Sequence, residues 1–180
     1  MSMQRHFELL AQYNQWMNNK VYEAASKLSP EELSKDRGAY FKSILGTLNH
    51  LMVGDTIWLQ RFAQLPACAN SLEPARDLPT PSALDQLVCR DIGQLSEQRR
   101  QLDALICTWI ASLKESDLDQ VLSYRNMQDQ PARRQFSSLL LHFFNHQPHH
   151  RGQVTTLLSQ AGLDVGVTDL LALIPDQLKA

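Results

Sequence analysis

Apolar residues in this chain recur at intervals of three and four over long stretches, with little sustained alternation at period two, and that spacing predicts helices. The first stretch runs from about Met3 to Leu28. Phe7, Leu10, Asn14, Met17, Val21, Ala24 and Leu28 lie on one stripe, and Ser29-Pro30 ends it. A second runs from about Tyr40 to Gln64, with Phe41, Leu45, Leu48, Met52, Leu59 and Phe62 on its apolar side and Pro66 as its stop. A third begins near Ser82 and continues to about Lys114, through Leu84, Leu87, Val88, Ile92, Leu95, Leu102, Ile106 and Trp109. The fourth covers about Arg134 to Gln160, and Gly162 follows it as a natural left-handed cap.

The connections are less regular. Pro66, Pro74, Pro79 and Pro81 punctuate a long crossing between the second and third helices. Val121 to Tyr124 reads as a short strand with a turn at Asn126 to Gln130, and Thr168 to Pro175 as a short helix. Helices of about 25 residues would each be about 37 Å long. Each has one apolar side, so none is stable alone and side-by-side packing is the expected solution. The expected fold is all-α, a four-helix bundle with a short C-terminal helix, in a single domain over residues 1–180.

Composition narrows the field. The 180 residues are 43% hydrophobic and 20% charged, which excludes a disordered chain. Seventeen Lys and Arg against nineteen Asp and Glu leave a formal charge of -2, so no basic surface points to nucleic acid as a partner. No apolar run is long enough to cross a bilayer, and Met1 to Trp16 lacks the basic-then-apolar order of a secretory signal. Cys68, Cys89 and Cys107 form no Cys-x-x-Cys pair, which fits a reducing compartment, with the cytoplasm as the default location.

The histidines carry the chemistry. Six are present, and His142, His146, His149 and His150 fall within nine residues. Side chains three or four apart on a helix share a side, so His146 can converge with His150 or with His149. One ion cannot span His142 to His150, about 12 Å along the axis, because metal–nitrogen bonds are about 2.0–2.1 Å. A third ligand must come from another helix, and His50 is the one on offer. Helical histidines also serve simply as packing groups against aromatics, and Phe136, Phe143 and Phe144 lie nearby. Asp55 lies five residues beyond His50, about 140° around the helix. That angle argues against a shared ion and for a buried carboxylate bonded to a tyrosine, a tryptophan or a backbone N–H. His6 reads as a surface residue and His142 as core or as a support beside the ligands.

The stretch Asn145-His146-Gln147-Pro148-His149-His150-Arg151-Gly152-Gln153 resembles the signature of the DinB family, the DinB/YfiT-like metalloenzymes. Tyr13-Asn14-Gln15-Trp16, Asn49-His50 with Asp55 and Trp58, and Gly162 to Pro175 are similar to the family's other segments, in the right order. The resemblance implies an up-up-down-down bundle and a divalent metal held by His50, His146 and His150, which decides between His149 and His150. It implies a homodimer and, by likeness to some members, a low-molecular-weight thiol as cosubstrate. Pro148 departs from the family pattern and removes a backbone bond to Phe144, which favours a kink.

A three-histidine site with an open position suits zinc or nickel. Thiol activation would make an S-transferase and water attack a hydrolase. A non-catalytic metal-binding protein or a dimeric scaffold is the alternative. Asp55 and Arg151 are weak catalytic candidates, and contacts for the thiol are sought around Arg151, Asn49 and Tyr13. Gly152, costly within a helix by about 1 kcal/mol relative to alanine, suggests close approach of another helix or of substrate. Arg151 and Gln153 are expected to bond the first helix or a partner subunit.

Overall fold

The computed structural model describes residues 2–176. Its elements follow in the order α1 (Met3–Ala25), α2 (Pro30–Ser34), α3 (Ile44–Phe62), α4 (Glu73–Arg76), α5 (Ile92–Ser112), β1 (Val121–Arg125), β2 (Pro131–Gln135) and α6 (Phe136–Gln160). Short 3-10 turns occupy Glu115–Asp119 and Leu170–Leu173. The protein is thus mainly helical, and its long helices are α1, α3, α5 and α6. They pack as a bundle requires, with α1 against α5 and α6, and α3 against α6 and α5.

Local chemistry explains the boundaries. Ser2 caps α1 by accepting from the Arg5 N–H, and the Glu115 carboxylate accepts from the Met3 and Gln4 N–H groups at 3.0 Å each. A negative charge at that helix end also complements the helix dipole. Ser43 caps α3 by accepting from Gly46 N–H at 3.0 Å. That helix therefore starts at Ile44 rather than Tyr40, because Lys42 takes a left-handed φ of 66° and breaks the helical path. A Cβ on residue 46 would stand 2.2 Å from the Phe41 carbonyl oxygen, so only glycine lets the preceding loop fold down onto the helix start.

The third long helix departs most from expectation. It begins at Ile92, ten residues after Ser82, with Asp91 accepting from the Gln94 N–H at 2.8 Å. The segment before it is held open by tertiary bonds. Asn49 accepts from the Cys89 N–H and donates to the Cys89 carbonyl, both at 2.9 Å. Leu84, Leu87 and Val88, which extend the apolar period, remain exposed. The Leu84 carbonyl serves His50 of α3 instead of a helix of its own.

The hairpin matches the expected strand and turn. Val121 pairs with Gln135 and Arg125 with Pro131, and Asp129 adopts a left-handed φ of 58° in the turn. The expected C-terminal helix is shorter, a 3-10 turn at Leu170–Leu173. Its approach is held extended by the Tyr13 hydroxyl, which donates to the Thr168 carbonyl at 2.6 Å, and by Lys20, which bonds the Val167 carbonyl. α6 is continuous from Phe136 to Gln160 with the exposed Pro148 inside it.

The lower core is aromatic. Phe62 lies 5.3 Å from Trp109, 5.4 Å from Phe136 and 5.9 Å from Phe143, between ring centroids, and all four are buried. The middle of the bundle is polar. Arg99 donates to Asp55 at 2.7 Å and lies 2.9 Å from Asp103, and Asn18 donates to both Asp103 oxygens at 3.0 and 3.1 Å. Arg151 bonds Asn14 and, at 3.4 Å, Gln147. Two carboxylates and two guanidiniums balance there in charge, which is the condition under which buried ions are tolerated.

Candidate metal centre

His50 comes from α3, and His146 and His150 come from successive turns of α6. The Nε2 atom of His50 lies 3.1 Å from that of His146 and 3.1 Å from that of His150. A tetrahedral ion with bonds of about 2.0–2.1 Å to nitrogen places its ligand atoms about 3.3 Å apart. The spacing fits such an ion closely.

The outer ring nitrogens specify the protonation. Nδ1 of His50 lies 2.8 Å from the Leu84 carbonyl, which can only accept, so that nitrogen carries the hydrogen. Nδ1 of His150 lies 2.9 Å from Gln153 Oε1 and donates in the same way. Both Nε2 atoms then point bare lone pairs toward one another and toward His146. His146, bearing its hydrogen on Nε2, can satisfy only one of these lone pairs at a time, whereas a divalent cation at the centre would accept all three.

Burial keeps these rings neutral. Above all it pushes His146 down to about 3, with further lowering from the charge that His150 and His50 would carry. Burial is also the main cause of the downward shifts at His50 and His150. Neutral imidazole is the form that binds metal.

Packing aims the rings. Phe41 stacks on His50 with centroids 3.8 Å apart, and its edge meets His150 at 5.5 Å. On the other side His146 presses against α3 at Gly54, where a Cβ would come within 2.9 Å of its Cε1 atom. Gly54 is one turn beyond His50 on the same side of α3. A glycine inside a helix at that spacing was a legible sign of close approach, whereas at Gly152 no other segment among the described residues comes within 4 Å of where its Cβ would be. Among the described residues, the close approach of another helix expected at Gly152 does not occur.

The other sequence candidates separate from this centre. Asp55 is 1% exposed and bonded to Arg99, a partner that is neither the tyrosine, the tryptophan nor the backbone N–H expected. Arg151 is 2% exposed and bonds Asn14 and Asn18 of α1, with Tyr13 against its guanidinium. Asn49 is fully buried and serves Cys89. Gln153 accepts from Nδ1 of His150, on its own helix. His149 is exposed, with its ring 4.7 Å from that of His150. His6 is exposed as expected, whereas His142 is an exposed cleft residue rather than core, 5.2 Å from Trp58.

His50 and His146 form one end of an open cavity of about 460 Å³. Gly54, Ile57, Trp58 and Arg61 of α3 line one wall and His142 another, with Leu84 and the hairpin residues Tyr124, Asn126, Met127 and Gln128 completing the lining. No aspartate or glutamate lines this cavity. No helix among the described residues is long and apolar enough to cross a membrane.

Comparison with known proteins agrees with the sequence signature. The chain is 25% identical over 160 residues to Protein DinB of Bacillus subtilis (strain 168), covering 89% of this chain and 88% of that one. Its fold is similar to that of a DinB-like protein from Bacillus cereus ATCC 10987, with a TM-score of 0.52 at 20% identity, over 88% of this chain and 94% of the other. The profile of the DinB family matches residues 3–177, nearly the whole chain, and the protein belongs to the DinB family.

Proposed function

We propose that this protein is a metal-dependent S-transferase, in which His50, His146 and His150 hold a divalent ion, zinc or nickel, and a low-molecular-weight thiol is the nucleophile. The observation that carries this reading is the convergence of three neutral imidazoles, two of which, His50 and His146, line an open cavity that no carboxylate lines. A bound ion supplies an open position and a charge that holds a thiol as thiolate without a separate base.

The chain's own residues do the rest. Leu84 and Gln153 hold the His50 and His150 rings in one tautomer, so little reorganisation accompanies binding. Phe41 covers the His50 face, and Ile57, Trp58, Leu84 and Met127 offer apolar surface to an electrophilic second substrate. None of Cys68, Cys89 and Cys107 lines the cavity, so the sulfur comes from a cosubstrate. Hydrolysis is served less well. A departing alkoxide or amine needs a proton, and Asp55, the carboxylate suggested by sequence, is engaged with Arg99.

The test begins with elemental analysis of untagged protein, followed by thiol-conjugation assays on native chain and His50→Ala. Stoichiometric zinc or nickel and turnover are expected for the native chain, and neither for His50→Ala. Full metal content and activity in His50→Ala would refute the ligand set. Metal binding without turnover, across thiols and electrophiles, would leave the protein a metal-binding one. The same proposal takes the protein as a homodimer, which sedimentation equilibrium checks.

A further inference from the structure

We infer that the substrate reaching this cavity carries an anionic group, a carboxylate or a phosphate monoester, and that Arg61 receives it. This rests on the proposed metal site only in taking the cavity as the substrate's. Arg61 is half-buried near the C-terminal end of α3, with its guanidinium 4.9 Å from the Trp58 ring and 4.9 Å from the Tyr124 ring. Two aromatic faces fix the plane of the fork while leaving its N–H donors without an acceptor among the described residues. Among the described residues, no carboxylate lies within ion-pair distance of it.

Among the described arginines that are not exposed, Arg37, Arg61, Arg99 and Arg151, this isolation sets Arg61 apart. The two fully buried guanidiniums, Arg99 and Arg151, each donate through Nη1 to side chains, and Arg99 Nη2 also lies 2.9 Å from Asp103. Arg61 loses hydration against Trp58 and Tyr124 and gains their ring faces in return, but no hydrogen-bond acceptor among the described residues. A planar anion on the fork supplies the missing acceptors, in the bidentate geometry that guanidinium favours.

Position supports the assignment. His50, Gly54, Ile57 and Arg61 recur along one side of α3, and all line the 460 Å³ cavity. Arg61 also lines a second, adjoining cavity of about 700 Å³ with Tyr124, Arg125 and Arg133, and again no carboxylate is present. Eleven residues separate His50 from Arg61, about 16 Å along the axis. An elongated molecule can therefore place its reacting atom at the histidines, an apolar middle against Ile57 and Trp58, and its anionic end at Arg61. Arg61 acts as a specificity-determining group, away from the reacting atoms.

The test measures binding by calorimetry to the full chain, metal-free and zinc-loaded. The probes are phenylalkanoates of three to six carbons, phenethyl phosphate, and the neutral amides of the same acids. At least one anion is expected to bind tenfold or more tightly than its neutral counterpart in both forms of the protein, and the better of the two anion classes identifies the headgroup. Arg61→Gln should erase that preference, Arg61→Lys should keep part of it, and His50→Ala should leave it intact. Thermal unfolding checks that the Arg61 variants are folded, and Arg61→Lys carries the comparison if the glutamine variant is not. Equal binding of anions and amides overturns the inference, as does a preference that survives Arg61→Gln. A preference seen only with zinc and lost in His50→Ala places the anion on the metal and also overturns it. Loss of zinc binding with the Arg61-dependent preference intact would instead sink the metal reading alone.

Discussion

A methyl group on Gly54 would place its carbon 2.9 Å from Cε1 of His146, closer than real side-chain carbons come to such atoms. The absence of a side chain at residue 54 is what lets His146 lie against α3 and reach the same point as His50. Gly54→Ala therefore sets two effects against each other. Alanine gains about 1 kcal/mol of helix propensity, while the imidazole is pushed off its position. Thermal unfolding of the metal-free variant should be unchanged or higher than that of the native chain. Zinc affinity, measured by chelator competition, should fall at least tenfold. Unchanged affinity would show that His146 is not held by this contact.

Gln153 touches no ligand position itself and acts on His150 through Nδ1. Loss of such an outer hydrogen bond commonly weakens metal binding by about 10–100-fold. Gln153→Ala should show that loss with little change in metal-free stability, since the side chain is only partly buried. Gln153→Glu, which keeps an acceptor, should restore most of it.

Asp55 tests the separation between site and scaffold. Removing one partner of a buried ion pair costs about 3–5 kcal/mol because the other charge is left stranded. Asp55→Asn should therefore lower stability by about that amount in urea titration, and Arg99→Met similarly, while both variants that remain folded retain full zinc content. Zinc loss from a folded Asp55→Asn protein would place the carboxylate in the site after all.

Acid sensitivity follows from His146. Its folded state holds the ring neutral down to about 3, whereas the unfolded ring titrates near its ordinary 6.5. Between those values the unfolded chain binds more protons, so stability falls as pH drops from about 6.5 toward 3 and is unaffected by this group above that window. Asp55 and Asp103, raised chiefly by burial, pull in the opposite direction at the acidic end. The contribution of His146 is thus read as a difference: in chelator-treated protein, the fall in the urea midpoint on acidification from pH 6.5 should be smaller in His146→Leu than in the native chain. Parallel curves would contradict the neutral buried ring.

Periodicity and turn residues located the long helices in outline, the first strand and turn of the hairpin and the histidine spacing on α6, because such signals act over a few neighbouring positions. The second strand, Pro131–Gln135, took residues the pattern gave to the helix. The family signature then singled out His50, His146 and His150. The start of α5 was misread for an equally physical reason: Leu84, Leu87 and Val88 continue a helical pattern, but Asn49 and His50 claim the backbone of that segment across the bundle. Phe41 shows the same limit, since its place in the period says helix and its role is to stack on His50 from a loop. The orientation of each imidazole, the pairing of Asp55 with Arg99 and the isolation of Arg61 all depend on groups brought together from distant positions. Local pattern in the chain carries the propensity of each segment and the identity of its donors. Only tertiary packing decides which lone pairs face a common point and which charges are left without a partner.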